Sequence, residues 1–330
     1  MKLKILLFLI LFFYYENLLF PLGNREPVQP IRVSQNISLA EYVPFSSNSK
    51  LAKLNGNSSF RLTEDLPKLD GATALYPVYA SFVQAVYPRE YFFRSRRDWR
   101  IDSVLFCTQT PGAYWNLING FMDIIFCMEP SNNQIEMAAA KGLEFNMTPI
   151  GKDAFVFFVN GNNPVNNITS EQIRMIYSGE ITNWKEIGGD DEDIIPYQRP
   201  QNSGSQTLLE SIMGEIPIME PLMENVVPDM GRMFERVSEY LNYPNAIGYS
   251  FLFFSTEMVR NNEIKLLSIN GIMPSRETII TGEYIFSNTF YAITVGNETE
   301  NTQKLIEWIL SDEGQYLIEE TGYIPINLEQ

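Results

Sequence analysis

The chain has 330 residues, of which 45% are hydrophobic and 19% charged, a composition typical of a globular protein with one large domain or two lobes. Its net charge of −16 argues against a nucleic-acid partner, because the phosphate backbone needs a basic surface. The absence of histidine excludes a Ser-His-Asp or Cys-His arrangement and any histidine metal site. The carboxylates show no metal-ligand spacing, so no metal cofactor is expected. Without histidine, a metal cluster or an activated nucleophile, the protein is not expected to be an enzyme.

The first 22 residues have the pattern of an export signal. Lys2 and Lys4 precede an unbroken apolar run, residues 5–15, which is short for a membrane span of about 20 residues. We interpret residues 1–22 as a signal peptide or an uncleaved signal anchor, which places the protein outside the cytoplasm. A buried N-terminal helix is the alternative. Residues 23–65, rich in Pro, Ser and Asn, are predicted to be a tether that becomes ordered near the domain.

Three short turns of hydroxyl-bearing and small residues each lead into a predicted helix: Gly71-Ala-Thr73-Ala74, Thr108-Gln-Thr110-Pro-Gly112-Ala113 and Asn202-Ser203-Gly204-Ser205. Apolar residues at helical spacing follow each turn. A helix N-terminus presents unpaired N–H groups and the positive end of the helix dipole, so each turn suits an anion. Taken singly, each turn is more typical of an ordinary helix cap.

Arg199 lies four residues before Ser203, at the end of a predicted strand, 194–198. Its forked guanidinium suits a tetrahedral oxyanion. A surface arginine beside a helix cap is the alternative. If the three turns meet at one cleft, they and Arg199 can hold an anion without a bound metal.

The remaining elements alternate in type along the chain. Strands are predicted at residues 104–107, 123–130, 150–160, 245–254 and 290–294. Helices are predicted at residues 114–119, 169–177, 206–213 and 302–310, with Ser170 as the cap of the second. Such alternation indicates an α/β fold with mainly parallel sheets. Cys107 and Cys127 each end an apolar run, and two buried thiols are favoured over a disulfide.

From residue 65 to the C-terminus the chain resembles the Pst-type phosphate-binding proteins of bacterial ABC importers. The motifs that carry the resemblance are Gly71-Ala-Thr73-Ala-Leu-Tyr-Pro-Val-Tyr79, Thr110-Pro-Gly-Ala113, Ile181-Thr-Asn-Trp184, Arg199-Pro-Gln-Asn-Ser203-Gly204-Ser205 and Gly314 with Thr321-Gly-Tyr323. The resemblance implies a type II periplasmic-binding-protein-like fold of two α/β lobes. Lobe 1 would comprise residues 66–150 and 290–330 and lobe 2 residues 151–289, with hinge strands near residues 151–160 and 287–295.

The function that the resemblance implies is capture of inorganic phosphate between the lobes by an extracytoplasmic, monomeric protein. The captured phosphate would pass to the permease subunits of an ABC importer. A membrane-anchored phosphate sensor or receptor is the alternative, because the same cleft would serve either role.

The resemblance also implies the ligand-binding residues. From the first lobe, phosphate oxygens would be bound by Thr73, the Ala74 N–H and Thr110. From the second lobe, they would be bound by Arg199, Ser203, Gly204 and Ser205. Where the family has an acidic residue that accepts the phosphate proton, this chain has Met128 with Glu129 beside it. We therefore take Glu129 as the candidate acceptor, with a solvated loop residue as the alternative. Such an acceptor separates phosphate, which carries a proton, from sulfate.

The same resemblance bears on the two cysteines. In such lobes the strands that end at Cys107 and Cys127 flank the first strand instead of pairing with each other. Two strand spacings, roughly 9–10 Å, then separate them, and a disulfide needs Cα atoms within about 7 Å. The resemblance therefore supports two thiols.

Overall fold

The structure is a computed structural model, and it describes residues 30, 38–90, 104–238, 244–296 and 298–328. The predicted export signal, residues 1–22, lies outside the described residues. Within the described ranges, no helix is both long enough and apolar enough to cross a membrane.

Strands and helices alternate along the described chain. The strands are β1 (Leu69–Gly71), β2 (Ile124–Cys127), β3 (Asn146–Asn160), β4 (Asn167–Ile168), β5 (Ile195–Pro196), β6 (Ala246–Phe251), β7 (Ile264–Leu266), β8 (Ser268–Ile269), β9 (Ser287–Thr294) and β10 (Ile324–Pro325). The helices are α1 (Tyr76–Val86), α2 (Gln109–Ile118), α3 (Asn132–Ala139), α4 (Ser170–Ser178), α5 (Gly204–Met213), α6 (Met230–Ser238), α7 (Arg276–Ile280), α8 (Glu300–Ile309) and α9 (Asp312–Thr321).

One sheet runs through the molecule in the order β1-β2-β9-β3-β6-β5, and β7 and β10 also pair with β3. The long strand β3 changes partners along its length. Residues 146–154 pair with β9, and residues 155–160 pair with β6 and β7. We call the half around β1, β2 and β9 the first lobe, and the half around β5, β6 and β7 the second lobe.

The chain passes from the first lobe to the second in β3 and returns in β9. This confirms the predicted two-lobe α/β fold with two hinge strands. Two strand pairs of this sheet are parallel, β1 with β2 and β5 with β6, and every antiparallel pair of named strands contains β3 or β9. Because β3 and β9 run unbroken between the lobes, the predicted lobe limits at residues 150 and 290 stay predictions.

Helices cover the sheet in both lobes. In the first lobe α2 packs on β1 and β2, and in the second α5 and α6 pack on β6. The second part of β3 is buried, and the rings of Phe155 and Phe157 pack against each other and against Tyr249 at ring-centroid distances of 5.3–6.2 Å. These aromatic contacts join β3 to β6 in the core of the second lobe.

Helix α4 begins one residue later than the sequence indicated. Thr169, not Ser170, is its cap: the Thr169 backbone is extended and its side chain accepts a hydrogen bond from the Gln172 N–H at 3.0 Å. The Thr169 N–H in turn donates to Oε1 of Gln172 at 2.8 Å, so the two residues form a capping box. The prediction of Ser170 was wrong because both residues can cap and only this reciprocal pair separates them.

The two cysteines lie on either side of β1 and form no disulfide with each other; Cys127 is buried, as predicted, and Cys107 is half-buried. Leu69 of β1 bridges Leu105 in parallel on one side and pairs with Ile124 of β2 on the other. This is the strand order that the family resemblance implied. Burial raises the pKa of the Cys107 thiol to about 12, so that thiol stays protonated at neutral pH.

The described part of the predicted tether, residues 38–65, packs against the first lobe. Tyr42 and Leu51 are buried next to Ala80 of α1. Further along, the Ser58 hydroxyl donates to the Glu313 carboxylate of α9 at 2.8 Å. This segment is therefore part of the folded domain.

Candidate functional site

A small cavity lies between the two lobes, with a volume of about 40 Å³. Its lining residues are Ala72, Thr73, Gln109, Thr110, Pro111, Arg199, Ser203, Gly204, Ser205, Asp229, Met230, Gly231, Phe251 and Phe254. One water needs roughly 10–15 Å³ measured in this way, so the cavity has room for a small ion and not for a large organic molecule.

Helices from both lobes begin at this cavity. Their first residues are Thr73 of a short 3₁₀ turn (Thr73–Leu75), Gln109 of α2, Gly204 of α5 and Met230 of α6. Each first turn carries backbone N–H groups that have no partner inside the helix, and each helix dipole adds partial positive charge there. The arrangement therefore favours an anion.

Arg199 is buried at the cavity, with 7% of its surface exposed. Its Nη2 donates to the Pro228 carbonyl at 3.1 Å, while Nε and Nη1 are buried and have no hydrogen-bond partner among the described residues. Burial lowers the pKa of Arg199 to about 10, which leaves the guanidinium charged at neutral pH. Two buried charged donors without partners are costly, and an anion that accepted hydrogen bonds from both would offset that cost.

The backbone of Arg199 is held from behind. Its N–H donates to the Tyr249 hydroxyl at 2.8 Å and to Oε1 of Gln206 at 3.0 Å, and the Tyr249 hydroxyl bonds to the same Gln206 oxygen. Tyr249 lies on β6 and Gln206 in α5. The Arg199 backbone is therefore bound to both β6 and α5.

Ser203 and Ser205 place two hydroxyls at the start of α5. Ser203 caps the helix, with its Oγ accepting from the Gln206 N–H at 3.3 Å. The Ser205 hydroxyl is buried and has no partner among the described residues. A ligand oxygen in the cavity would satisfy the Ser205 hydroxyl and the Arg199 guanidinium together.

In the first lobe a buried carboxylate, Asp70, joins the two turns that reach the cavity. It accepts hydrogen bonds from the Gly71 N–H at 2.8 Å, the Thr108 N–H at 2.7 Å, the Thr108 hydroxyl at 2.5 Å and Nδ2 of Asn116 at 3.0 Å. Burial raises the pKa of Asp70 and these bonds oppose the rise. The end of β1 and the start of α2 are thereby tied to one side chain.

The start of α2 is strained. Gln109 has a φ of 63°, in the left-handed region that side chains other than glycine rarely adopt. Thr108 before it is the residue that Asp70 binds twice. The Asp70 bonds therefore help to hold the strained turn, and the turn brings Thr110 to the cavity.

Asp229 is a site residue that the sequence analysis missed. It caps α6, with Oδ1 accepting from the Arg232 N–H at 2.9 Å, and its side chain is 15% exposed. Its charge raises the pKa of Arg199 and so partly offsets the effect of burial. Among the described residues that line the cavity, Arg199 is the one cation and Asp229 the one carboxylate.

A sequence signal for Asp229 exists. An aspartate after a proline is a common helix start, and apolar residues follow at helical spacing: Met230, Met233, Phe234 and Val237. This signal predicts that Asp229 caps a helix, but it does not predict that the cap lies at the cavity. The position of Asp229 follows from the parallel bridge between Gln198 and Val226, which brings the segment before α6 next to Arg199.

Six of the eight predicted ligand residues line the cavity: Thr73, Thr110, Arg199, Ser203, Gly204 and Ser205. Ala74 is buried behind it, and its carbonyl accepts from the Tyr323 hydroxyl. Glu129 is not brought to the cavity. It is exposed and accepts from the Tyr291 hydroxyl at 3.3 Å. Residues 124–128 are all buried, and Glu129 is the first exposed residue after them, where the chain leaves β2 for the surface.

A family model described as PBP superfamily domain matches residues 106–313. The chain belongs to the PBP superfamily. The match covers the second lobe and the part of the first lobe that contains α2, β2, α3, β9 and α8.

Relatives and structures similar to this superfamily member carry related names. The phosphate-binding protein PstS of Borreliella burgdorferi is 28% identical over 222 residues, which are 63% of this chain and 76% of the relative. PstS of Staphylococcus saprophyticus is 23% identical over 281 residues, 82% of this chain and 83% of the relative. A putative phosphate ABC transporter substrate-binding protein from Clostridium perfringens, solved with bound phosphate, has 23% identity and a TM-score of 0.60 over 79% of this chain and 99% of its own.

Gly204 allows the two lobes of the PBP superfamily fold to approach closely. A Cβ at this position would lie 3.0 Å from the Thr110 hydroxyl, tighter than ordinary contacts. We expect Gly204→Ala to weaken anion binding about 10-fold, because overpacking of this kind typically costs about 1–3 kcal/mol. Titration calorimetry measures the effect, and Gly56→Ala, where a Cβ meets nothing within 4 Å, is the matched control. Equal affinity of Gly204→Ala and wild type would contradict the proposed contact.

Proposed function

We propose that the protein binds inorganic phosphate in the cavity between its lobes and delivers it to a membrane importer of the ABC type. One observation carries the proposal. A buried guanidinium with two unpartnered nitrogens and a buried hydroxyl without a partner, Arg199 and Ser205, meet where helices of both lobes begin. Donors fixed in this way suit an anion with several oxygens, and the volume of the cavity suits one with few atoms.

The donors surround the ligand position from both lobes. In this proposal Thr73, Thr110 and the N–H groups at the start of α2 contact oxygens from the first lobe, while Arg199, Ser203, Ser205 and the first N–H groups of α5 contact oxygens from the second. Gly204 has no side chain, so the ligand can come close to the backbone at the start of α5. Phe251, Phe254 and Pro111 form apolar walls that exclude water, which strengthens each charge-assisted bond.

Asp229 decides between phosphate and sulfate in this proposal. A carboxylate inside an anion cavity repels an unprotonated oxygen, whereas it accepts a hydrogen bond from a protonated one. Phosphate near neutral pH carries such a proton and sulfate does not. We therefore assign to Asp229 the acceptor role that the sequence analysis gave to Glu129, with discrimination on the order of 10⁴.

The names of relatives support delivery to an importer. The B. burgdorferi and S. saprophyticus relatives are named phosphate-binding proteins, and the name of the C. perfringens structure places that protein with an ABC transporter. For this chain we propose the same partner, the permease subunits of an importer. Export by residues 1–22, as cleaved signal or as anchor, would place the cavity outside the cytoplasm. The described residues that line the cavity all come from one chain, which suits a monomer.

A panel of anions tests the proposal. Full-length protein is melted with phosphate, sulfate, nitrate, chloride and acetate at equal ionic strength. We expect phosphate alone to raise the melting temperature in a concentration-dependent manner, because a ligand at about 100 times its Kd adds about 2.7 kcal/mol of stability. Stabilisation by none of these anions, or by sulfate as strongly as by phosphate, would contradict it.

A further inference from the structure

The turn between β5 and α5 contacts the first lobe beside the cavity. The Ser131 hydroxyl donates to Oδ1 of Asn202 at 2.7 Å, and Nε2 of Gln134 donates to the Asn202 carbonyl at 3.2 Å. Ser131 and Gln134 begin α3 in the first lobe, and Asn202 belongs to the second. Neither bond involves a residue that lines the cavity.

The first-lobe side of this contact is rigid. Ser131 caps α3, and it forms a reciprocal capping box with Gln134, in which the Ser131 N–H donates to the Gln134 side chain at 2.8 Å. Both residues are buried. The capping box and the burial therefore fix the side chains of Ser131 and Gln134 in the orientation that bonds to Asn202.

The second-lobe side has an unusual backbone. The Ser203 N–H bonds to the Pro200 carbonyl at 3.2 Å, which closes a four-residue turn, and Asn202 at its third position has a φ of 65°. A positive φ at that position is typical of a type II turn, where glycine or asparagine is favoured. Glycine would relieve the strain, and asparagine adds the oxygen that Ser131 binds.

We propose that Asn202 is a positioning residue of the closed cleft, which latches the second lobe to Ser131 and Gln134 of the first and thereby slows release of the anion. The proposal rests on the proposed function, because it assumes an anion that leaves when the lobes separate. Both bonds join protein groups only, so the latch also favours the closed arrangement before the anion binds. Opening must break both bonds.

The variant that isolates the side-chain bond is Asn202→Gly, since it keeps the positive φ and removes only the group that Ser131 binds. Its matched control is Asn270→Gly. Asn270 also has a positive φ, 52°, and its Oδ1 accepts from the Ser170 N–H at 3.0 Å, but both residues belong to the second lobe. The two variants therefore share the chemical change and differ in whether the lost bond joins the lobes.

Two measurements on the full chain test the latch. We expect Asn202→Gly to release radiolabelled phosphate about five-fold faster after dilution, the effect of one neutral hydrogen bond, with little change in the association rate. In phosphate-free buffer, hydrogen exchange at the first turn of α5 should also speed up. Asn270→Gly should change neither quantity.

The outcomes separate the latch from the proposed function. Unchanged release and unchanged exchange in Asn202→Gly would overturn the latch. If wild type bound no phosphate, the proposed function would fail while the exchange measurement still tested the latch. In combination with Ser131→Ala, the Asn202→Gly change should add little further effect, because the two residues share one bond; full additivity would also overturn the proposal.

Discussion

Arg199→Ala is expected to abolish most phosphate binding. The substitution removes the one cation among the described lining residues, and a truncated charge pair in a desolvated site typically costs about 2–5 kcal/mol. That loss corresponds to a decrease in affinity of roughly 30-fold to 4,000-fold. Titration calorimetry at neutral pH measures it, and a loss below about 10-fold would remove Arg199 from the assigned role.

The stability of the same variant provides a second readout. Because Nε and Nη1 of Arg199 are buried without partners, the wild-type side chain contributes little to folding when no anion is bound. We expect the melting temperature of Arg199→Ala in phosphate-free buffer to stay within a few degrees of wild type. Arg174→Ala is the control for affinity: Arg174 is also in the second lobe, but it donates to the Ile212 carbonyl away from the cavity.

Asp229→Asn is expected to reduce the discrimination between phosphate and sulfate from on the order of 10⁴ to below about 100. An amide donates to a sulfate oxygen, so the repulsion between the carboxylate and sulfate disappears. The fold should be retained, because asparagine caps a helix about as well as aspartate does. Competition of sulfate against bound phosphate measures the change.

Glu129→Gln is the matched control for Asp229→Asn, because it makes the same chemical change at an exposed carboxylate outside the cavity. We expect no change in its anion preference. Loss of discrimination in Glu129→Gln, with wild-type discrimination in Asp229→Asn, would return the acceptor role to the residue that the sequence indicated.

Much of the fold could be predicted from local patterns. Apolar periodicity indicated α5 and α8, and the apolar run at residues 150–160 indicated β3. Boundaries were less accurate where the backbone is irregular: α2 begins at Gln109, five residues before the predicted start, because Pro111 and Gly112 in its first turns hide the helical pattern. The strand predicted at residues 104–107 is reduced to a single bridge at Leu105.

The site was predictable to the extent that each residue carries a local signal. Arg199 and Ser203–Ser205 lie in one turn, and the hydroxyls of Thr73 and Thr110 lie in two others. Asp229 carries a capping signal, but its place beside Arg199 depends on a pairing between segments 28 residues apart, Gln198 with Val226. Glu129 was predicted because it is the sequence neighbour of Met128, but it lies in the exposed segment that follows β2.

Phosphate binding between the lobes is tested by titration calorimetry of the protein with phosphate. We expect one phosphate per chain with an affinity near the micromolar range, about −8 kcal/mol, and no measurable heat with sulfate under the same conditions. No binding of phosphate, or sulfate binding of similar strength, would contradict it.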